Sequence, residues 1–252
     1  MTKTILILCI SIIFFSIRSS AQTSSAASFL LKADQFYEHG QYDSAAYYYE
    51  RILSQDISDS RVYYNLGNTY FKMNQIPQAI YNLEKAHRLA PRDDQIEFNL
   101  NKARLMLTDK IIPIPKTFFI HWYEQAKNHL NLREVMLIVL LTFSLTIIMG
   151  TIMIYRRLGT TGMALFFIMI SLLATEVLWL IERYQFYHHS DQAILINPET
   201  EVRVGPREED DPAFIIHAGI QMTILQTRHQ WVEIRLENGF TGWIPHDHLK
   251  ML

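Results

Sequence analysis

The chain has 252 residues, 49% hydrophobic and 19% charged, with a formal net charge of −2 and a mean hydropathy of +0.03. No basic excess is available to neutralise phosphates, so the charge balance gives no reason to expect a nucleic-acid partner. The single cysteine, Cys9, excludes a disulfide framework and any multi-thiolate metal site, and the scarcity of Gly and Pro excludes a fibrous or low-complexity chain.

The first element, residues 1–21, reads as a secretory signal. Lys3 supplies the positive end, residues 4–17 are almost wholly apolar, and Ser19 and Ala21 are small residues before a cut at Gln22. The rival reading is an uncleaved anchor, although the apolar run is shorter than the roughly 20 residues of a membrane span. Either way the following segment is exported. If the cut occurs, the mature chain has no cysteine.

Residues 26–59 and 60–93 align as two copies with a period of 34 residues. The second copy places Tyr63, Leu66, Gly67, Tyr70, Ala79, Leu83, Ala86 and Pro91 at the offsets of the tetratricopeptide signature, and so resembles that repeat. Gly67 and Ala79 are small where helices A and B of one unit approach, while Pro91 ends helix B. The first copy is looser, with Phe29, Ala33, Phe36, Gly40, Ala45 and Tyr49 at matching offsets and Lys32 in place of the usual Leu. Ile96, Leu100, Ala103 and Leu107 start a third helix A, and Pro113 and Pro115 then break the pattern, which resembles the cap of a helical array. The array is thus expected over 26–108. Two units and a cap are short of the usual minimum of about three. Support is therefore expected from a partner, from self-association or from segment 118–132, within a membrane-proximal linker at 109–134.

Helix A residues of such an array line a concave groove. That surface would carry Tyr37, Tyr64, Asn65, Asn68, Phe71, Lys72, Phe98, Asn99 and Lys102. Asn amides pair with both the N–H and the C=O of an extended peptide, and aromatic rings supply contact area. The competing reading is a set of solvated helix positions.

Two apolar runs follow, 135–155 without charge and 163–181 with Glu176 alone. At about 1.5 Å rise per residue each can cross a ~30 Å hydrocarbon core. Arg156 and Arg157 mark the link between them, and the positive-inside rule puts that link in the cytoplasm. Signal and hairpin agree in placing both flanking segments on the exported side of an inner membrane. A carboxyl at mid-span costs roughly 2–3 kcal/mol and needs a partner. Thr142 and Ser144 lie at similar depth and would supply one; otherwise Glu176 snorkels to the outer interface or contacts another membrane subunit.

From 190 to 252 the pattern changes to short strands, expected at 193–196, 214–217, 222–226, 231–236 and 241–245, with turn signals between them. The sequence Val202-Arg203-Val204-Gly205-Pro206, then Trp231-x-Glu-Ile, then Gly239-x2-Gly242-Trp243-Ile244-Pro245, resembles bacterial SH3-like barrels. That resemblance implies peptide or peptidoglycan binding, or packing against a neighbour, with Trp231 and Trp243 as surface candidates unless both are core. The run Glu208 to Asp211 reads as a solvated loop or as a contact for a basic partner. His246 and His248 would share one strand face, but no further metal ligand can be placed. No phosphate loop, nucleotide fingerprint or nucleophile elbow occurs. A catalytic role, a cofactor and a metal are therefore not expected.

Taken in order, signal, repeats with a cap, membrane hairpin and SH3-like domain resemble the BatE family of aerotolerance operons in Bacteroides-type bacteria. The resemblance implies a membrane scaffold that works with other Bat proteins, with von Willebrand A domains, and with a MoxR-type ATPase in envelope integrity or oxidative stress. Its alternative is a cell-wall module that binds peptidoglycan through the SH3-like domain.

Overall fold

The computed structural model of the chain describes residues 25–115, 117, 118, 130, 132–156, 159–188 and 191–252. The expected signal at 1–21, most of segment 118–132, and Arg157 lie outside the described residues.

The N-terminal part is five helices: α1 (residues 25–38), α2 (Tyr42–Leu53), α3 (Ser60–Lys72), α4 (Ile76–Leu89) and α5 (Asp94–Arg104). Their ends follow from local chemistry. Asp59 and Asp93 cap α3 and α5 by accepting from Arg61 N at 2.8 Å and Gln95 N at 3.0 Å. Pro77 sits in the first turn of α4, where its missing N–H has no partner to lose. Helices α1 and α3 both end through a left-handed residue, Gly40 (φ +73°) and Asn74 (φ +59°), which occupy equivalent places in the two repeats.

Helices α1 and α2 form one hairpin, α3 and α4 a second, and α5 stands where a third helix A belongs. Ala33, Ala45, Ala46, Tyr49, Ile52, Val62 and Leu66 are buried together between the first unit and α3. A Cβ added to Gly67 would lie 2.7 Å from Leu83 Cγ, itself fully buried, and 3.2 Å from the carbonyl oxygen of Ala79. The glycine of the repeat signature is thus what lets α3 and α4 touch.

The C-terminal part is one antiparallel sheet of seven strands: β1 (Gln192–Leu195), β2 (Glu199–Arg203), β3 (Pro212–His217), β4 (Gln221–Arg228), β5 (Trp231–Leu236), β6 (Thr241–Pro245) and β7 (Leu249–Met251), in the order β3-β2-β6-β5-β4-β1-β7. Two strands, β2 and β7, add to the five expected. β2 buries Thr200 and Val202, so one of its two inward residues is polar and its sequence shows little apolar alternation, and β7 has only three residues. The sheet is open: β3 and β7 remain edges, so the expected barrel closure is not formed. Val232, Ile234 and Leu236 alternate inward with Trp231, Glu233 and Arg235 outward, and the inner face buries Leu195, Val202, Ile216, Met222 and Ile244. His246–His248 is a short 3-10 turn rather than a strand. The His248 ring faces the Thr200 hydroxyl at 2.9 Å, so the expected shared face of two imidazoles does not exist.

Support for the short array comes from the chain's own sheet. Ile80 and Leu83 of α4, Leu100 and Ala103 of α5, Ile194 of β1 and the terminal Leu252 form one buried cluster. The sheet therefore covers the apolar face that helix B of a third unit would cover. Polar contacts border this seam: Arg88 donates to Gln192 at 2.6 Å and Arg104 to Gln221 at 3.3 Å. Residues 105–115, expected in part as linker, run along the sheet instead. Leu107 packs against Gly219, whose φ of +95° and lack of Cβ admit it. Asp109 accepts from His217 N at 2.7 Å, and Ile114 N donates to Glu237 O at 3.1 Å.

Two long antiparallel helices, α6 (Leu132–Arg156) and α7 (Thr160–His188), join the two parts. Each is long and apolar enough to cross a membrane, and in their most apolar stretches only 6% and 0% of residues are buried within the chain. A core helix of a soluble domain would be mostly covered. Here Leu137, Leu141, Phe143, Phe167 and Leu178 all face outward. An ion pair between Arg92 and Glu134 ties the start of α6 to the loop before α5.

Candidate functional site

The groove residues named from the sequence all lie on α1, α3 and α5, the helix A positions of the array. The structure connects five of them to one another. Asn99 Nδ2 donates both to Tyr64 Oη at 2.8 Å and to Asn68 Oδ1 at 3.0 Å. Lys102 Nζ sits 5.2 Å above the Phe71 ring. Asn65 Nδ2 reaches Asp34 Oδ1 at 3.4 Å, and the same oxygen accepts from Tyr49 Oη at 2.5 Å. Tyr37 packs edge-on against Tyr42 with ring centroids 5.4 Å apart.

This geometry changes what the amides can do. Both amide protons of Asn99 are engaged across the α3–α5 contact, so Asn99 can offer a ligand its carbonyl oxygen but no donor. Asp34 was not among the groove residues read from sequence; its partners lie 15 and 31 residues away, beyond any local pattern. Lys72 and Phe98 are exposed, Phe98 by 69%. Burial raises the Tyr37 hydroxyl above its ordinary range, with Tyr42 and Tyr64 adding to the effect. Tyr49 is raised further by burial and by its bond to Asp34, so both stay neutral donors at physiological pH. The helix A side chains of the array are thus aromatic and amide-bearing, with Lys72 and Lys102 as their cations.

On the sheet, the two tryptophans lie on the outer face. Trp243 is buried there beneath Arg228, whose guanidinium is 5.5 Å from the ring centroid, so it is neither exposed nor part of the inner core. Trp231 is half-buried and borders an open cleft of about 530 Å³ with Glu208, His229, Pro245 and His246. Between the long helices, the Thr142 hydroxyl lies 3.2 Å from Glu176 Oε1. Ser144 instead turns back to the Leu140 carbonyl. Glu176 Oε2 is enclosed without a hydrogen-bond partner among the described residues. No cluster of three or more His, Cys, Asp or Glu suited to a metal occurs among the described residues.

A sequence model of the tetratricopeptide repeat matches residues 60–93. This covers the second unit, α3 and α4; the chain contains a tetratricopeptide repeat, a module for protein–protein interaction. None of the curated proteins matches the chain. Among solved structures, it is similar to the second TPR domain of human RPAP3 in complex with the HSP70 peptide SGPTIEEVD. The similarity has 14% identity over 61% of this chain and 98% of that one, with a TM-score of 0.32.

Proposed function

We propose that the chain is a non-enzymatic, membrane-anchored scaffold that holds an extended segment of a partner protein in the groove of α1, α3 and α5. The observation that carries this reading is the row of half-open aromatic and amide side chains from Tyr37 through Tyr64, Asn65 and Asn68 to Phe98 and Asn99, beside a repeat of the interaction class. Exposed Phe98 and Lys72 supply an apolar anchor and a charge with no role inside the array. The apolar walls of α6 and α7 support a hairpin in an inner membrane, with both flanking parts on the exported side. Glu176 then faces a second membrane protein or is satisfied by Thr142. The order of signal, repeats, hairpin and sheet domain supports a place among Bat-type envelope or aerotolerance proteins.

The test is cross-linking in native membranes with identification of the attached chains. Phe98→Ala with Lys72→Ala should reduce partner recovery at least several-fold while the thermal unfolding midpoint stays in place. Unchanged recovery would remove the groove from the binding role. The cleft beside Trp231 supports a second reading, the peptidoglycan module. Retention on cell-wall sacculi that Trp231→Ala abolishes would favour it.

A further inference from the structure

We propose that the tip of the β4–β5 hairpin, Gln226 to Trp231, rests in the phospholipid headgroup layer around α6 and α7, with an ammonium headgroup in the cleft beside Trp231. This assignment rests on the reading of α6 and α7 as membrane-spanning. Strand register shows which way the membrane lies. Ile224 N donates to Asp191 O at 2.6 Å and Gln192 pairs with Thr223, so β1 begins beside the middle of β4. Beyond Ile224, β4 and β5 stay paired as far as Arg228 and Trp231. At about 3.3 Å per residue of β5, this carries the tip roughly 10 Å past the point where the chain enters β1. Because β1 and β4 are antiparallel, the overhang points back along the chain toward α7. Helix α7 ends at His188, four residues before Gln192, which limits the gap to about 14 Å.

Helix α4 gives the same direction independently. Near its start, Ile80 stands by Gly219, whose N–H donates to Leu195 O at the end of β1. Near its end, Arg88 donates to Gln192 at the start of β1. Just beyond the helix, Arg92 pairs with Glu134 in the first turn of α6. The start of α6 therefore lies past the start of β1, on the side to which the β4–β5 hairpin projects.

The chemistry of the tip suits that layer. Gln226 to Gln230 are all exposed, and tryptophan is the residue that settles at the headgroup level with its ring in the apolar edge. The cleft beside Trp231 is lined by Glu208 and Asp247 and by neither Lys nor Arg. Arg228 is engaged with the Trp243 ring. Among the described residues neither Glu208 nor Asp247 makes an ion pair. An aromatic ring with two unpaired carboxylates favours the ammonium of a zwitterionic lipid and repels an anionic headgroup.

The test uses the full chain with Cys9→Ser in phosphatidylcholine nanodiscs. A nitroxide is placed at Gln230→Cys, at Leu178→Cys on α7, or at Asn238→Cys at the opposite end of β5. Its depth is read from relaxation by oxygen, which concentrates in lipid, against a water-soluble nickel chelate. The Leu178 label should lie in hydrocarbon, the Gln230 label at headgroup level and the Asn238 label in water. A Gln230 label as open to the chelate as the Asn238 label, with Leu178 in hydrocarbon, would overturn the hairpin surface and leave the membrane reading intact. A Leu178 label in water would overturn both. The headgroup is tested by tryptophan quenching in mixed discs of phosphatidylcholine and phosphatidylglycerol, with bromine on the acyl chains of one lipid or the other. The quenching lost in Trp231→Phe should be about twofold or more larger when the choline lipid carries the bromine, the preference that a cation over an exposed ring yields. Equal quenching from the two lipids, or more from the anionic one, would overturn the ammonium site.

Discussion

Gly67 shows how one residue sets a helix contact. Its absent Cβ would stand 2.7 Å from Leu83 Cγ, and Leu83, at 0% exposure, has nowhere to move. Gly67→Leu should therefore overpack the α3–α4 contact and cost about 1–3 kcal/mol. The midpoint of thermal unfolding read by circular dichroism should fall, and a variant that melts with the parent would contradict this packing. Lys85 gives a prediction in pH. Its folded-state value, about 8, lies below the ordinary 10.5, so between these values the unfolded chain binds more protons than the folded one. Stability should then rise as pH rises from about 8 toward 10. Above that, Tyr49, Tyr63, Tyr70 and Tyr81, whose folded-state values are raised, hold protons that the unfolded chain releases, and stability should fall. Lys85→Gln should flatten the rising limb in chemical denaturation; an unchanged limb would place its cause elsewhere.

At the scale of elements, the repeat was legible because its constraints are local. The spacing of Gly67, Ala79 and Leu83 reports a helix–helix contact inside 34 residues, and all three meet as that spacing requires. That the named residues fall on helix A elements was legible, but their contacts were not. That Asn99 spends its donors on Tyr64 and Asn68 depends on the distance between α3 and α5, which no pattern within one helix records. The strands β2 and β7 were missed for a different reason: the polar inward Thr200 of β2 and the three-residue length of β7 leave too little of the apolar alternation on which a strand reading rests. The cover of the array was beyond sequence reasoning, because Ile194 and Leu252 look like ordinary sheet residues until they meet Leu83 and Leu100. Ile194→Ala should cost about 2–5 kcal/mol as a large-to-small change in a packed interior. The loss should appear as reduced hydrogen-exchange protection in α4 and α5 as well as in β1. Full protection of the helices in that variant would mean the sheet does not support them.

For the whole molecule, the apolar stretches of α6 and α7 are almost wholly uncovered by the described residues, and the two folded parts they connect grip each other through the Ile80–Ile194–Leu252 cluster. A hairpin with both ends on one side of a bilayer satisfies both facts, since the flanking parts must meet. Ser60→Cys and Asn238→Cys should both react with a membrane-impermeant thiol reagent in intact spheroplasts. Protection of one and not the other would contradict the shared side. The central claim is that the groove seats a partner polypeptide. A photo-cross-linking amino acid placed at position 98, and as a control at position 47 on the exposed face of α2, tests it most directly in native membranes. The account predicts a discrete adduct from position 98 that is absent from position 47 and is lost when Lys72 is changed to Ala. Adducts of equal yield at both positions, or none at 98, would contradict it.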